Sequence, residues 1–176
     1  MTRFTTLAIA ATLWAGVAQA ENVEVYVVDM LDNIQAGYCL DIAKGQGASA
    51  NPEDGLQAHT CYSPSGEVFV DQAFASDQFA DGVLYMPEFD VCMQAASAEA
   101  GGTLELVTCD ASSEAQSWVF DGEGTISPAA APELCVTLAE ETRTGRSEEN
   151  QMKALSLETC SEDMASSQVW SNRSAN

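Results

Sequence analysis

The cysteines and the single histidine are the side chains of this chain best suited to covalent or metal chemistry. The histidine is His59, so no second imidazole is available to share a metal ion. No C-x-x-C pair occurs, although structural zinc sites often contain one. An even number of cysteines in an exported chain indicates disulfides. The sequence therefore predicts disulfides rather than a metal site, formed by Cys39, Cys61, Cys92, Cys109, Cys135 and Cys160.

The acidic residues and the histidine offer little for catalysis. No G-x-S-x-G nucleophile elbow is present, and His59 leaves few general bases apart from carboxylates. With 27 acidic residues, a carboxylate pair at glycosidase separation stays open as an alternative. Carboxylates also suit Ca²⁺, but the D-x-[DN]-x-[DN]-G loop is absent. We predict that the protein is not an enzyme and needs no cofactor or metal.

Residues 1–20 are typical of a signal peptide. Arg3 precedes an apolar run over residues 7–17, and residues 18–20 read Ala-Gln-Ala, a small-x-small cleavage pattern. The apolar run is too short to cross a bilayer as a helix. We therefore expect export to the periplasm or the extracellular medium, with residues 21–176 forming one domain.

The chain is strongly acidic. It contains 27 acidic and 6 basic residues, for a formal net charge of −21. Such a surface repels phosphate backbones and anionic lipid headgroups, so we expect no nucleic-acid partner and no membrane insertion. The 46% of hydrophobic residues indicates a packed core rather than disorder.

A Gln-x-aromatic triplet occurs three times, as Gln72-Ala73-Phe74, Gln116-Ser117-Trp118 and Gln168-Val169-Trp170. Each triplet follows two cysteines, and a threonine precedes the second cysteine in every copy. Landmarks that keep one order through several copies indicate repeated structural units. Pairing within each unit treats the copies alike and predicts the disulfides Cys39–Cys61, Cys92–Cys109 and Cys135–Cys160.

Between these landmarks the sequence is typical of short β-strands. VEVYVVDM (23–30) and GTLELVTC (102–109) contain alternating or β-branched apolar residues. Turn segments rich in Gly, Pro and Asp separate such runs. Only residues 129–141 and 161–167 have a partly helical pattern. The sequence therefore predicts an all-β, barrel-like fold of short strands.

The triplets and cysteines together resemble the ricin B-type lectin family, a β-trefoil with pseudo-threefold symmetry. The resemblance covers about residues 24–172, with units at about 24–78, 79–122 and 123–172. It implies that the aromatic residue of each triplet packs into the shared core. It also implies that each glutamine forms hydrogen bonds with backbone groups of its own unit, so that no buried polar atom is left without a partner. The residues with this structural role are Gln72, Phe74, Gln116, Trp118, Gln168 and Trp170.

The resemblance also implies where a sugar binds. In such lectins an Asp two residues after the first cysteine accepts hydrogen bonds from sugar hydroxyls. An aromatic residue two positions before the second cysteine stacks on the ring, and an amide side chain stands directly before the triplet. The first unit matches in part, with an acid before the triplet and a neighbouring tyrosine as a second stacking candidate. Its predicted sugar-binding residues are Asp41, Gln57, His59, Tyr62 and Asp71.

The other two units lack the combination of carboxylate and aromatic residue. The corresponding residues are Gln94, Val107 and Ala115 in the second unit, and Thr137, Glu158 and Ser167 in the third. We expect neither unit to bind sugar. The prediction is thus a carbohydrate-binding module with a single site, for a galactose-type or another glycan.

A protein-interaction scaffold is the alternative. A trefoil that has lost sugar binding can present its loops to a protein partner, as a toxin subunit or an inhibitor does. The segments 43–55 and 139–151 are polar, and we expect them to be loops free of core residues that form this surface.

Overall fold

The computed structural model describes residues 21–62 and 69–174, and the predicted leader lies outside this part of the chain. The strands of the first unit are β1 (Asn22–Val27), β2 (Tyr38–Ile42), β3 (Leu56–Thr60) and β4 (Ala73–Ala75). Those of the second are β5 (Tyr85–Met86), β6 (Val91–Ala95), β7 (Leu104–Thr108) and β8 (Trp118–Val119). They are followed by β9 (Glu123–Gly124), β10 (Ser127–Pro128), β11 (Leu134–Thr144), β12 (Gln151–Thr159), the short helix α1 (Ala165–Gln168) and β13 (Trp170–Arg173).

Each unit contains one antiparallel hairpin, formed by β2 with β3, β6 with β7, and β11 with β12. Strand β1 pairs with β4 of its own unit and with β13 of the third unit, so the first and last described strands adjoin. Strand β8 pairs with β10 and joins the second unit to the third. No helix within residues 21–62 and 69–174 is long and apolar enough to cross a membrane.

The aromatic residues of the three triplets lie in one hydrophobic core. Phe74, Trp118 and Trp170 are at most 3% exposed and belong to the same buried cluster. The indole N–H groups of Trp118 and Trp170 donate over 2.9 Å to the backbone carbonyls of Met93 and Val136. These carbonyls belong to the residue after the first cysteine of the second and third units, so in these two units the core aromatic residue also fixes the hairpin.

The three disulfides pair as predicted, one in each unit. They are Cys39–Cys61, Cys92–Cys109 and Cys135–Cys160, with Cα–Cα distances of 5.0, 5.0 and 5.1 Å. Each closes a hairpin and contributes stability on the order of 3 kcal/mol, mainly by restricting the unfolded chain.

Strand β11 corrects the expectation of partial helix over residues 129–141. Ala139, Glu140 and Glu141 favour helix as isolated residues, but pairing with β12 holds them in a hairpin with a register shift between Leu138 and Thr142. In the expected loop 139–151, residues 139–144 and Gln151 are therefore strand, and residues 145–150 form the loop. The partly helical pattern over 161–167 is confirmed, because a 3₁₀ turn over Glu162–Met164 leads directly into α1.

The segment 43–55 is also more structured than expected. It contains two 3₁₀ turns, Gly47–Ser49 and Pro52–Asp54. Ala50 is 7% exposed and belongs to the core cluster, so the prediction of a loop free of core residues was wrong. The Gly47–Ser49 turn packs against another 3₁₀ turn, Val70–Gln72, in which Asp71 and Gln72 are buried.

Candidate functional site

The backbone of each unit holds the glutamine of its triplet. The side-chain amide donates over 3.1 Å to the carbonyl of the threonine before the second cysteine, in the pairs Gln72–Thr60, Gln116–Thr108 and Gln168–Thr159. The side-chain oxygen accepts from the backbone N–H after that cysteine, which belongs to Tyr62 at 3.2 Å, Asp110 at 2.8 Å and Ser161 at 2.9 Å. Because each of these three triplet glutamines is at most 6% exposed, these bonds satisfy groups that burial removes from water.

The same amide donates a second hydrogen bond to the residue two positions after the first cysteine. In the first unit Gln72 Nε2 lies 2.8 Å from Asp41 Oδ2. The acceptor is Gln94 Oε1 at 3.3 Å in the second unit and Thr137 Oγ1 at 2.9 Å in the third. Only the first unit has a carboxylate at this position.

Asp41 is held by two neutral amides and is almost completely buried. It lies opposite Gln57 in the β2–β3 hairpin, and Gln57 Nε2 donates to Asp41 Oδ1 over 3.1 Å. Asp41 is 1% exposed and Gln57 is 6% exposed. Burial raises the pKa of Asp41 to about 8, and the nearby charge of Asp71 adds to this rise, against the opposing hydrogen bonds from Gln57 and Gln72.

Asp71 lies in the Val70–Gln72 turn directly before the triplet glutamine. It is 0% exposed, and neither of its carboxylate oxygens has a hydrogen-bond partner. Its charge acts on Asp41, His59 and Tyr62, which places Asp71 in the same cluster as the other predicted sugar-binding residues.

Three aromatic side chains border this cluster. The His59 and Tyr62 ring centroids lie 5.5 Å apart, and Tyr62 meets Phe69 edge to face at 4.7 Å. Burial raises the pKa of Tyr62, and the side chain of Gln46, next to the Gly47–Ser49 turn, opposes that rise. His59 is 8% exposed, whereas Tyr62 and Phe69 are only partly buried, so the row leads from the carboxylates toward the surface.

The histidine is neutral in this environment. Burial lowers the pKa of His59, and a backbone hydrogen bond and Asp71 oppose that effect. His59 Nδ1 lies 3.0 Å from the Thr60 carbonyl. A carbonyl can only accept, so Nδ1 carries the proton and Nε2 is an acceptor.

The structure thus brings all five predicted sugar-binding residues into one cluster, here called the first-unit site. Its members are Asp41, Gln57, His59, Tyr62 and Asp71. Their role in binding stays a prediction, because both carboxylates are buried beneath the side chains that surround them.

The corresponding positions of the other units are built differently. Gln94 lies opposite Glu105, and Thr137 lies opposite Ser156. In both units an open cleft includes the residue directly before the triplet. The second unit has one of about 280 Å³ that includes Ala115, and the third has one of about 440 Å³ that includes Ser167. That the second and third units bind no sugar stays a prediction.

Sequence reasoning missed three residues around the first-unit site. Glu24 is 0% exposed, and its Oε1 accepts from the Tyr62 N–H at 3.0 Å while Arg173 Nε lies 3.2 Å from Oε2. The alternating pattern of β1 predicts that Glu24 lies on the strand face away from the buried valines, so the sequence gave no sign that Glu24 is buried. Phe69 and Gln46 reach Tyr62 only through tertiary packing, for which no local pattern exists.

Comparison with solved structures gives the same fold. The structure is similar to an earthworm lectin C-terminal domain mutant in complex with 6'-sialyllactose, with 16% identity, a TM-score of 0.55 and coverage of 87% of this chain and 99% of that one. It is similar to the earthworm R-type lectin C-half in complex with GalNAc, with 19% identity, a TM-score of 0.53 and coverage of 88% and 98%. The designed threefold-symmetric protein ThreeFoil matches with 12% identity, a TM-score of 0.54 and coverage of 86% and 96%.

These similarities confirm the predicted all-β trefoil. No curated protein sequence matches the chain. The sequence does match the ricin-type beta-trefoil lectin domain over residues 28–146 and again over 81–176. The two matches together span most of the chain, which belongs to the family of ricin-type β-trefoil lectin domains.

Proposed function

We propose that the protein is an exported carbohydrate-binding module with its sugar site in the first unit. The main observation behind this proposal is the position of Asp41. In each unit the triplet glutamine donates a hydrogen bond to the residue two positions after the first cysteine, and only in the first unit is that residue an acid. Export rests on the leader-like residues 1–20. Family membership supports binding rather than catalysis as the function.

The geometry gives each member of the first-unit site a part in binding. Each Asp41 oxygen accepts one amide, and the carboxyl group retains further hydrogen-bonding capacity for a sugar hydroxyl. Tyr62, with its partly buried ring, offers a face to the C–H surface of the sugar. Since Asp41 is 1% exposed, a sugar must displace covering side chains, and association should be slower than for a preformed pocket.

The test is a titration of residues 21–176 with galactose, N-acetylgalactosamine and sialyllactose, followed by a broad glycan array. Asp41→Ala should abolish binding, whereas the matched Gln94→Ala substitution in the second unit should leave it unchanged. Circular dichroism would show that both variants are folded. Sugar binding that survives Asp41→Ala would place the site elsewhere and overturn the proposal.

A second candidate function is binding of a protein partner by the trefoil surface. Three exposed apolar residues, Val28, Met30 and Ile34, lie between β1 and β2. Met164, which is 36% exposed, lines the same 440 Å³ cleft as Leu31 of that segment. Exposed apolar side chains concentrated in one region are typical of interaction surfaces. Partner capture that free sugar does not compete, with no sugar bound on the array, would favour this function.

A further inference from the structure

Asp71 is the most anomalous polar group of the first-unit site. Both of its oxygens are inaccessible to solvent and lack a hydrogen-bond donor. Whether ionised or protonated, the group therefore leaves hydrogen-bonding capacity unused in the interior, which is strongly unfavourable. An unpartnered carboxyl of this kind indicates that its partner comes from another molecule.

Within residues 21–62 and 69–174, no ion pair brings a cation to Asp41 or Asp71. Among the described residues, the ion pairs join Lys44 to Asp54, Lys153 to Asp32, and Arg173 to Glu24. Asp41 accepts only neutral amides and Asp71 accepts nothing. The site thus holds two neighbouring carboxyl groups without a compensating positive charge.

A bare metal ion does not fit this arrangement. A metal requires several donor atoms around one point. Within the described part of the chain, Glu24, Cys39 and Cys61 form the one group of three potential ligands close enough together. Both cysteines are consumed in a disulfide, and neither Asp41 nor Asp71 belongs to the group. The missing positive charge therefore belongs to a larger ligand.

The aromatic row favours an organic cation. Rings attract a positive charge placed over their faces, and they also cover the C–H surface of a sugar ring. His59 and Tyr62 stand 5.5 Å apart beside the carboxyl groups, and His59 Nε2 adds an acceptor for an N–H or O–H donor. A ligand that combines a hydroxylated ring with an ammonium group matches all of these features.

We propose that the first-unit site binds an amino sugar with a free, protonated amine, whose ammonium group bonds Asp71 and whose hydroxyls bond Asp41. This inference rests on the proposed function and names its ligand class. The charged amine distinguishes this ligand from neutral and N-acetylated sugars. Because acetylation removes both the charge and two of the donors, the N-acetyl sugar is the matched control ligand.

Isothermal titration of residues 21–176 with galactosamine, N-acetylgalactosamine and galactose tests the inference at neutral pH and physiological salt. Galactosamine should bind about tenfold more tightly than either neutral sugar, or better, as expected for a charge-assisted bond in a buried site. In Asp71→Asn this preference should disappear, because an amide cannot compensate the ammonium charge. Asp77→Asn removes one exposed acidic residue close in sequence and should retain the preference.

The possible outcomes separate the inference from the function on which it rests. A wild-type protein that binds a neutral sugar as tightly as galactosamine overturns the inference and leaves the proposed function intact. If none of these sugars binds, and none on a broad array, both fail. Equal loss of preference in Asp77→Asn and Asp71→Asn would show that overall charge sets the preference and would overturn the role of Asp71. The comparison of sugars on the unaltered chain stands even if a variant fails to fold.

Discussion

The side-chain amide of Gln72 donates to Asp41 Oδ2 over 2.8 Å while also donating to the Thr60 carbonyl over 3.1 Å. The glutamine that closes the first unit therefore also orients the carboxylate of the candidate sugar site. Gln116 and Gln168 make the same two bonds, but their second acceptors are Gln94 and Thr137. The same glutamine hydrogen bonds thus occur in all units, and only in the first unit is the residue that they hold an acid.

Replacing Gln168 with methionine should strongly destabilise the fold. The change keeps the shape of the side chain but removes the hydrogen bonds that it makes to the Thr159 carbonyl and the Ser161 N–H. It also removes the bond to the Thr137 hydroxyl, which still donates to the Cys135 carbonyl. Losing hydrogen bonds at the buried Gln168 side chain costs about 1–3 kcal/mol, so we expect a loss of about 2 kcal/mol in the free energy of unfolding. Urea denaturation of residues 21–176 would measure it.

Gln35 supplies the control for this measurement. It is exposed, and Gln35→Met should change the free energy of unfolding by less than about 0.5 kcal/mol. Equal effects of the two substitutions would contradict the role of the glutamine in holding the unit together.

The disulfides and the repeated units were predictable from the sequence because they rest on landmarks repeated in register. Once the hairpin β2–β3 is placed, the pairing of Asp41 with Gln57 follows from its register. Strand β11 was not predictable, because pairing with β12 overrides the helix propensity of residues 139–141.

The electrostatic character of the site was also beyond local sequence patterns. A charged residue before the triplet is normally expected at the surface, yet Asp71 is 0% exposed. Its burial accompanies the packing of the Val70–Gln72 turn against the Gly47–Ser49 turn, two segments far apart in sequence. The family resemblance indicated which residues lie close together in the site, but not that the carboxyl groups of Asp41 and Asp71 are both buried.

Gly82 should not tolerate a side chain. It has a φ of +75°, and a Cβ at this position would lie 2.6 Å from the Trp118 carbonyl oxygen. The Gly82 carbonyl also accepts the Trp118 N–H at 2.9 Å, so the two backbones cannot separate without losing that bond. We expect Gly82→Ala to lower the melting temperature, with a loss of about 2 kcal/mol or more in stability.

Substitution of Gly101 distinguishes the clash with Trp118 from the cost of placing alanine at a positive φ. Its φ of +83° is similar, but no atom lies within 4 Å of a Cβ built there. Gly101→Ala should therefore show only the strain of a positive φ, on the order of 1 kcal/mol. If both variants melted at the same temperature, close approach to Trp118 would not be the reason for glycine at position 82.

The raised pKa of Asp41 gives the fold a specific dependence on pH. The pKa of this carboxyl rises from 3.8 to about 8 on folding, mainly through burial. Between these values the folded chain retains a proton that the unfolded chain has lost, so stability falls as the pH rises. The decline is at most about 1.4 kcal/mol per pH unit for one proton and ends above about pH 8. The groups acting on Asp41 are Asp71, Gln57 and Gln72.

Asp41→Asn should remove this part of the pH dependence. Gln57 can rotate its amide to present oxygen to the new amide group, whereas Gln72 remains held by Thr60 and Tyr62. The variant should match the wild-type protein near pH 4 and become progressively more stable than it toward pH 8. Urea denaturation of both proteins across this range isolates the contribution of Asp41, because repulsion among the other acidic residues is nearly the same in each. A constant difference between the two proteins from pH 4 to pH 8 would show that Asp41 titrates normally and that the carboxylate is not desolvated as the structure requires.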